Sequence, residues 1–192
     1  MALVDVLKQR SGNQCELCKS SDNLGIYEVP PHSEQREDDT LLVCEKCNLQ
    51  LNKKQELDSA HWQCLNESMW SDVLPVQVVT WRMLNRLRNE SWAADAIDQM
   101  YFDDETLAWA KSTGDQDDNG TVELHKDSNG NQLFDGDNVV LTKTLDVKGS
   151  NLSAKLGTVV KGIKLVPDNF EQIEGKIDGQ TIVILTKYLR KG

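Results

Sequence analysis

The sequence predicts an α+β protein made of two unlike parts, and three observations lead to this prediction. Two C-x-x-C pairs lie near the start, at residues 15–18 and 44–47. All five tryptophans fall between residues 62 and 109, where apolar residues recur at helical spacing. From residue 122 onward, short runs of β-branched residues alternate with glycine and aspartate, which is typical of strands and tight turns.

The two cysteine pairs predict one structural Zn²⁺. Each pair places two thiolates on one side of a tetrahedral ion, so that four thiolates complete the shell and leave no position for water or substrate. The predicted ligands are Cys15, Cys18, Cys44 and Cys47. A helix over residues 1–9, strands at 24–29 and 41–43, and a helix after the second pair would form a zinc-ribbon or treble-clef-like unit over residues 1–58.

This layout also resembles the HNH nuclease module, in which two adjacent histidines precede a proline and another follows the second cysteine pair. The matching positions hold Tyr27, Glu28 and Asn48, while His32 lies beyond the proline pair. A metal-dependent nuclease needs a general base and ligands for a hard cation. We therefore interpret the unit as a zinc scaffold without nuclease chemistry, and we expect no catalytic residue.

Residues 59–111 predict a tryptophan-rich helical segment packed on the zinc unit. Pro75 begins a helix with an apolar stripe, and further helices are expected over residues 91–101 and 104–111. The tryptophans are expected in the core, with base or sugar stacking as the alternative. His61 and Cys64 share one helix face and could form half of a second metal site. Because the four-thiolate shell is complete, we expect Cys64 to be a small buried hydrophobe and His61 a polar edge or hydrogen-bonding residue.

The basic residues offer two places for an anion. Arg82, Arg86 and Arg88 form the basic cluster of the first 121 residues, and we expect them to pair with carboxylates, with anion binding as the alternative. In the last part, a basic face with two backbone amides is the alternative to a solvated surface. Its candidate anion-binding residues are Lys148, Gly149, Ser150, Lys161 and Lys164.

Residues 112–121 are small, polar and acidic, and are interpreted as a linker. Beyond them, the short strands of residues 122–192 predict a small SH3-like β-barrel. The stretch 127–131 looks superficially like a calcium loop, but it lacks the closing bidentate glutamate, so tight turns are expected there.

This last part resembles the C-terminal domain of the PhnA (YjdM) family. The matching motifs, in the family's order, lie at residues 127–131, 135–137, 147–150, 156–158 and 176–179. The resemblance implies a barrel joined to a four-cysteine zinc domain, and a family label, alkylphosphonate utilisation, that names no demonstrated reaction. The longer insert between the cysteine pairs and the helical middle match the longer family form. Residues 180–183 depart from the family's Phe-Gly-type turn.

Charge and cysteine usage limit the function classes. The net charge is −10, and residues 1–121 contain 11 Lys and Arg against 22 Asp and Glu, which disfavours nucleic acid as a partner. Five cysteines, no signal-like start and no apolar stretch of membrane length favour a cytoplasmic protein without a membrane partner.

Together these features favour a zinc-binding accessory or regulatory protein with a protein partner. Two alternatives stay open. One is a binder or enzyme for phosphonate or another small anion on the basic barrel face, and the other is a nucleic-acid-binding zinc-ribbon module.

Overall fold

The structure is a computed structural model that describes residues 2–146 and 153–192. The chain divides into two compact units, Met1–Val122 and Glu123–Gly192, and each is described by itself. Among the described residues, no helix is both long enough and apolar enough to pass through a bilayer.

The first unit begins with the elements that hold the cysteine pairs. In chain order they are α1 (Leu3–Ser11), β1 (Gly25–Glu28), β2 (Thr40–Val43) and α2 (Glu45–Leu51). The two strands form an antiparallel hairpin with Gly25 opposite Val43. Cys44 directly precedes α2, so Cys47 lies in its first turn. The predicted order of a cysteine turn, a hairpin and a helix is therefore present.

The rest of this unit is helical and is arranged around one buried helix. Its helices are α3 (Ser59–Trp62), α4 (Leu65–Ser68), α5 (Leu74–Arg86), α6 (Ser91–Ile97) and α7 (Asp104–Lys111). Nearly all of α5 is buried, because α4, α6, α7 and β2 all pack against it. Pro75 lies in its first turn, where a missing N–H breaks no helical bond. As predicted, a helix covers residues 104–111, and Asp103 caps it by accepting the N–H of Thr106 at 2.7 Å.

The tryptophans are distributed less simply than the sequence predicts. Trp62 and Trp81 are buried, and Trp92 and Trp109 are half-buried against the same core. The side chain of Trp70, in contrast, is 65% exposed. The prediction of a core role is therefore wrong for Trp70.

Arg82 and Arg86 also differ from the prediction, because both are buried and bind mainly backbone carbonyls. The carbonyl acceptors are Trp109, Ala110 and Pro30 for Arg82, and Gln50 and Leu51 for Arg86. Four of these carbonyls belong to the last residues of α7 and α2, where a helix leaves carbonyls unpaired and has partial negative charge. A buried guanidinium group donates hydrogen bonds to these unpaired carbonyls, and its positive charge offsets their partial negative charge. The apolar periodicity of α5 could not predict that these arginines are buried, because an amphipathic pattern is interpreted as a helix with one side in water.

The acidic stretch 112–121 packs against α5 and belongs to the first unit. The Asp118 carboxylate accepts a hydrogen bond from Lys53. Gly120 has a φ of 74°, and a Cβ at this position would lie 2.3 Å from the carbonyl oxygen of Arg86. Glycine is therefore required for the close approach, and composition alone does not reveal these contacts.

The second unit consists of short antiparallel strands. They are β3 (Val139–Leu141), β4 (Leu145–Asp146), β5 (Ser153–Ala154), β6 (Val159–Val160), β7 (Lys164–Leu165), β8 (Gln172–Ile177), β9 (Gln180–Leu185) and β10 (Leu189–Lys191). The described strands pair in the orders β10-β3-β6, β7-β8-β9 and β4-β5. Gly175 lets β8 approach β6, since a Cβ there would lie 2.4 Å from Val160. No ladder joins these sheets among the described residues, so the SH3-like barrel is not confirmed.

Asp127 fixes the turn that the sequence compares with a calcium loop. Its carboxylate, which is buried, accepts the backbone N–H groups of Asn129, Asn131 and Lys191 at 2.9, 2.8 and 2.8 Å. Burial by itself raises the pKa of Asp127, but these donors together lower it below the usual value. The carboxylate thus closes a tight turn and ties it to β10.

We expect Asp127→Asn to destabilise the second unit by about 1–3 kcal/mol at neutral pH, because buried N–H groups lose charged acceptors. Because the pKa of Asp127 is lowered in the folded state, its carboxylate stabilises the second unit at pH values above its unfolded-state pKa, near 4. This stabilisation is lost as the pH falls through the folded-state pKa. Amide hydrogen exchange of β8 and β9 between neutral and acidic pH measures both effects. The exposed Asp168→Asn is the control. An unchanged pH dependence in Asp127→Asn would contradict the assignment.

Candidate metal centre

The four predicted cysteines converge in the first unit. Their Sγ atoms all lie within 4.8 Å of one another, with 3.8 Å between Cys15 and Cys47 and 3.5 Å between Cys18 and Cys44. A tetrahedral shell with metal–sulfur bonds of about 2.3 Å separates its sulfurs by about 3.8 Å. The observed spacing matches such a shell and is far longer than a disulfide of about 2 Å. The four-cysteine cluster is therefore positioned to bind a metal ion.

Glu16 fixes the first cysteine pair to the hairpin. Its backbone N–H donates to the carbonyl of Leu42, and its carboxylate accepts the N–H of Leu42, at 2.9 and 2.7 Å. Arg10, from α1, donates two hydrogen bonds to the same carboxylate at 2.7 and 2.9 Å. Sequence reasoning missed Glu16, because the C-x-x-C pattern accepts any residue between its cysteines.

The second pair is placed by α2 and by the residues that hold this helix. The carbonyl of Cys44 accepts the N–H of Asn48 at 2.9 Å, as the first bond of the helix. Gln50, which is fully buried, accepts both the N–H of Asp58 and the indole N–H of Trp62, at 2.9 and 2.6 Å. The helix bearing Cys47 is thereby joined to α3.

The pKa values of the thiols differ within the cluster. Hydrogen bonds with Cys18 and Cys47 lower the pKa of Cys15 to about 2. Hydrogen bonding with Cys15 raises the pKa of Cys18 to about 12, and it also raises that of Cys47. The thiolate of Cys15 therefore forms more readily than those of Cys18 and Cys47. A bound metal ion would displace the thiol protons, and soft sulfur donors suit zinc-like ions.

His61 lies at the edge of the cluster, where the sequence predicts a polar edge or hydrogen-bonding residue. Its Nε2 is 3.2 Å from Cys47 Sγ, and Asp58 accepts its backbone N–H at 3.1 Å. Burial lowers the pKa of His61, so the neutral ring donates its Nε2–H to the sulfur in the matching tautomer. This is an outer hydrogen bond of the kind that orients and tunes a metal ligand.

Cys64 is half-buried and lies outside the four-sulfur cluster. It lines a cleft of about 440 Å³ together with Cys18, Cys44 and His61. Burial raises the pKa of Cys64 to about 12, so it remains a protonated thiol. The structure thus brings His61 and Cys64, the two residues of the possible second half-site, to the border of the four-cysteine cluster.

The remaining candidate residues lie elsewhere. Tyr27 and Glu28 belong to β1, Asn48 belongs to α2, and His32 packs edge-on against Trp109 with ring centroids 5.1 Å apart. Of the anion-binding candidates, Lys148, Gly149 and Ser150 lie outside the described residues. Lys161 and Lys164 are exposed, the latter in β7. Anion binding by these residues stays a prediction.

Comparison with known proteins identifies the second unit. Residues 125–192 match the family model described as YjdM: PhnA domain. The chain is 54% identical over 54 residues to Protein YjdM of Escherichia coli K12, covering 28% of this chain and 48% of that protein. It is 53% identical over 53 residues to Protein YjdM of Streptococcus mutans, covering 28% and 47%. It is 42% identical over 66 residues to a YjdM homolog of Haemophilus influenzae, covering 34% and 51%.

The chain thus spans about half the length of the curated relatives that it matches. The family-model match shows that residues 125–192 are similar to the PhnA/YjdM family, and together with the relatives it confirms the resemblance noted in the sequence. The matched residues of the family model lie in the second unit, whereas the four-cysteine cluster lies in the first.

We expect Cys44→Ser to remove the bound metal and to loosen the first unit. Structural zinc in small peptides contributes about 10–16 kcal/mol, comparable with the whole stability of a small domain. Metal content per chain and tryptophan fluorescence measure the effect, since all five tryptophans lie in the first unit. Cys64→Ser is the control and should keep its metal. Equal metal content in both variants would contradict the assignment.

We expect His61→Phe to lower the metal affinity about 10- to 100-fold, because a lost outer hydrogen bond weakens its ligand by this order. Competition with a chromophoric chelator measures the affinity. His32→Phe, which changes a histidine that contacts Trp109, is the matched control. An affinity in His61→Phe equal to that of the control would show that the 3.2 Å contact has no effect on the metal.

Proposed function

We propose that this chain is a zinc-binding accessory or regulatory protein, in which one structural Zn²⁺ stabilises the first unit and the PhnA unit contacts a protein partner. The observation that supports the structural role best is the set of four converging cysteine sulfurs within 4.8 Å. Four thiolates on a tetrahedral ion leave no coordination position for water or substrate. The metal would therefore maintain the fold instead of activating a reactant.

Two features of the second unit support a partner-binding role. Several large apolar side chains are exposed there, and exposed apolar surface is commonly a contact for another protein. These residues are Phe134, Leu156, Val159, Phe170 and Val183. The short antiparallel strands also suit a small SH3-like barrel, which we propose as the architecture of the complete unit. By resemblance to the family, the process served would be alkylphosphonate utilisation.

A photo-crosslinking residue at position 183, in the full metal-loaded chain, tests this proposal. We expect one discrete protein adduct in the native cell, because Val183 is an exposed apolar residue of β9. The same probe at Asp168, an exposed polar position of the same unit, is the control and should give no such adduct.

Two outcomes would contradict the proposal. One is equal labelling from both positions, which would mean that Val183 has no specific contact. The other is release of phosphate from an alkylphosphonate by the pure protein, which would make the chain an enzyme.

A further inference from the structure

A second cavity in the first unit is surrounded by cationic side chains. It has a volume of about 230 Å³ and lies between β1, the end of α2, α5 and residues 113–115. Arg82 and Arg86 reach it from α5, where they lie one helical turn apart. The two residues are only 4% and 2% exposed. Neither arginine borders the cysteine cluster or its cleft. This cavity is therefore distinct from the metal centre.

Each guanidinium group in this cavity is only partly satisfied. Arg82 uses Nε and Nη2 to bind carbonyls of the chain, while its Nη1 has no partner. Arg86 uses Nη1, while its Nε and Nη2 have none. Buried N–H groups without an acceptor are costly, and native structures rarely keep them. Among the described residues, three buried guanidinium nitrogens of the two arginines that line this cavity thus lack an acceptor.

The charge around the cavity is also unbalanced. Arg82, Arg86 and Lys53 line it with three positive charges. Asp118 accepts a hydrogen bond from Lys53, and its carboxylate is still 4.0 Å from Arg86 Nε, too far for a hydrogen bond. Asp115 lines the cavity and accepts a hydrogen bond from the hydroxyl of Thr113. The C-terminal helix ends that the arginines bind supply only about half an elementary negative charge each, which does not balance a full positive charge.

Tyr27 adds a further group at this cavity that can donate a hydrogen bond. Burial raises the pKa of Tyr27, so its phenol remains neutral and keeps its proton. Asn52, just beyond α2, also lines the cavity, and its side-chain amide already donates to the backbone and side-chain oxygens of Asn48. The lining thus combines two buried guanidinium groups with a neutral phenol, and guanidinium groups are donors that proteins use for phosphate-like groups.

We propose that this cavity binds a small tetrahedral oxyanion, such as phosphate or sulfate, between Arg82 and Arg86. Its oxygens accept the guanidinium N–H groups that otherwise have no partner, and its charge offsets the excess of cations. Since the same arginines hold the ends of α2 and α7, the bound anion stabilises the contact of both helices with α5. This proposal does not depend on the accessory role proposed above.

Titration of the full metal-loaded chain with inorganic phosphate or sulfate tests the site. The arginine Nε–H signals in a ¹⁵N-correlated NMR spectrum report directly on the two side chains. We expect the Nε–H signal of Arg86 to shift saturably, and acetate, with fewer oxygens and less charge, to bind more weakly. The indole N–H of Trp62, which is bound by Gln50, serves as an internal control and should not move.

Asp115→Asn provides a variant that leaves both arginines intact. Removing this competing negative charge should tighten the dissociation constant of phosphate on the order of tenfold. Asp117→Asn removes the same charge from the same short turn but lies on the exposed side, outside the cavity lining, so it should have little effect. Arg86→Lys, which keeps the charge but has fewer donors, should weaken binding at least about tenfold.

Two results would overturn the proposal. The first is the absence of a saturable shift up to about 20 mM phosphate or sulfate, which would mean that the dissociation constant lies above this concentration. The second is an equal response of Asp115→Asn and Asp117→Asn. In either case the arginines would serve only as partners of the helix ends. Metal content of each variant verifies that the first unit is intact.

Discussion

The convergence of four sulfurs is the constraint on which the first unit depends. The two cysteine pairs are separated by a hairpin, so their approach to within 4.8 Å fixes the position of the turn, both strands and the start of α2 together. Three of these cysteines are also part of the apolar core that continues to α5. Metal binding and core packing are therefore not separate contributions here, because the same side chains participate in both.

Buried polar groups join the elements that the apolar core alone would leave free to slide. Glu16 connects α1, the first cysteine turn and β2 through Arg10 and Leu42. Gln50 similarly connects α2 to α3. Because a buried polar group that loses its partner is costly, such contacts select one arrangement among many of similar apolar burial.

The sequence predicts the features that follow from local spacing. The four ligands follow from the C-x-x-C repeats, and the Asp103 cap and the helix over residues 104–111 follow from the pattern of capping and apolar residues. The tight turn at Asp127 likewise follows from its glycine and asparagine neighbours. The signal in each case is local: two cysteines three residues apart, a cap beside its helix, and the Asp127 acceptors of Asn129 and Asn131.

Features that depend on distant neighbours could not be predicted in this way. The partners of Arg82 and Arg86 are the ends of helices that lie about 30 residues away or more, and no local pattern identifies them. Residues 112–121 have the composition of a linker, yet the contact of Gly120 with the backbone of Arg86 keeps them in the first unit. Trp70 is exposed although its type and surroundings favour burial.

The short helix α2 has a further consequence, because its two ends serve different groups. Its first turn contains Cys47, and its last carbonyls bind Arg86 at the second cavity. Seven residues of helix span only about 10 Å, so a shift of α2 moves both ends at once. If occupancy at one end changes affinity at the other, thermodynamic linkage requires an equal and reciprocal factor. Binding of a cation at the first turn of α2 would then change the affinity for an anion at its last turn, and the reverse.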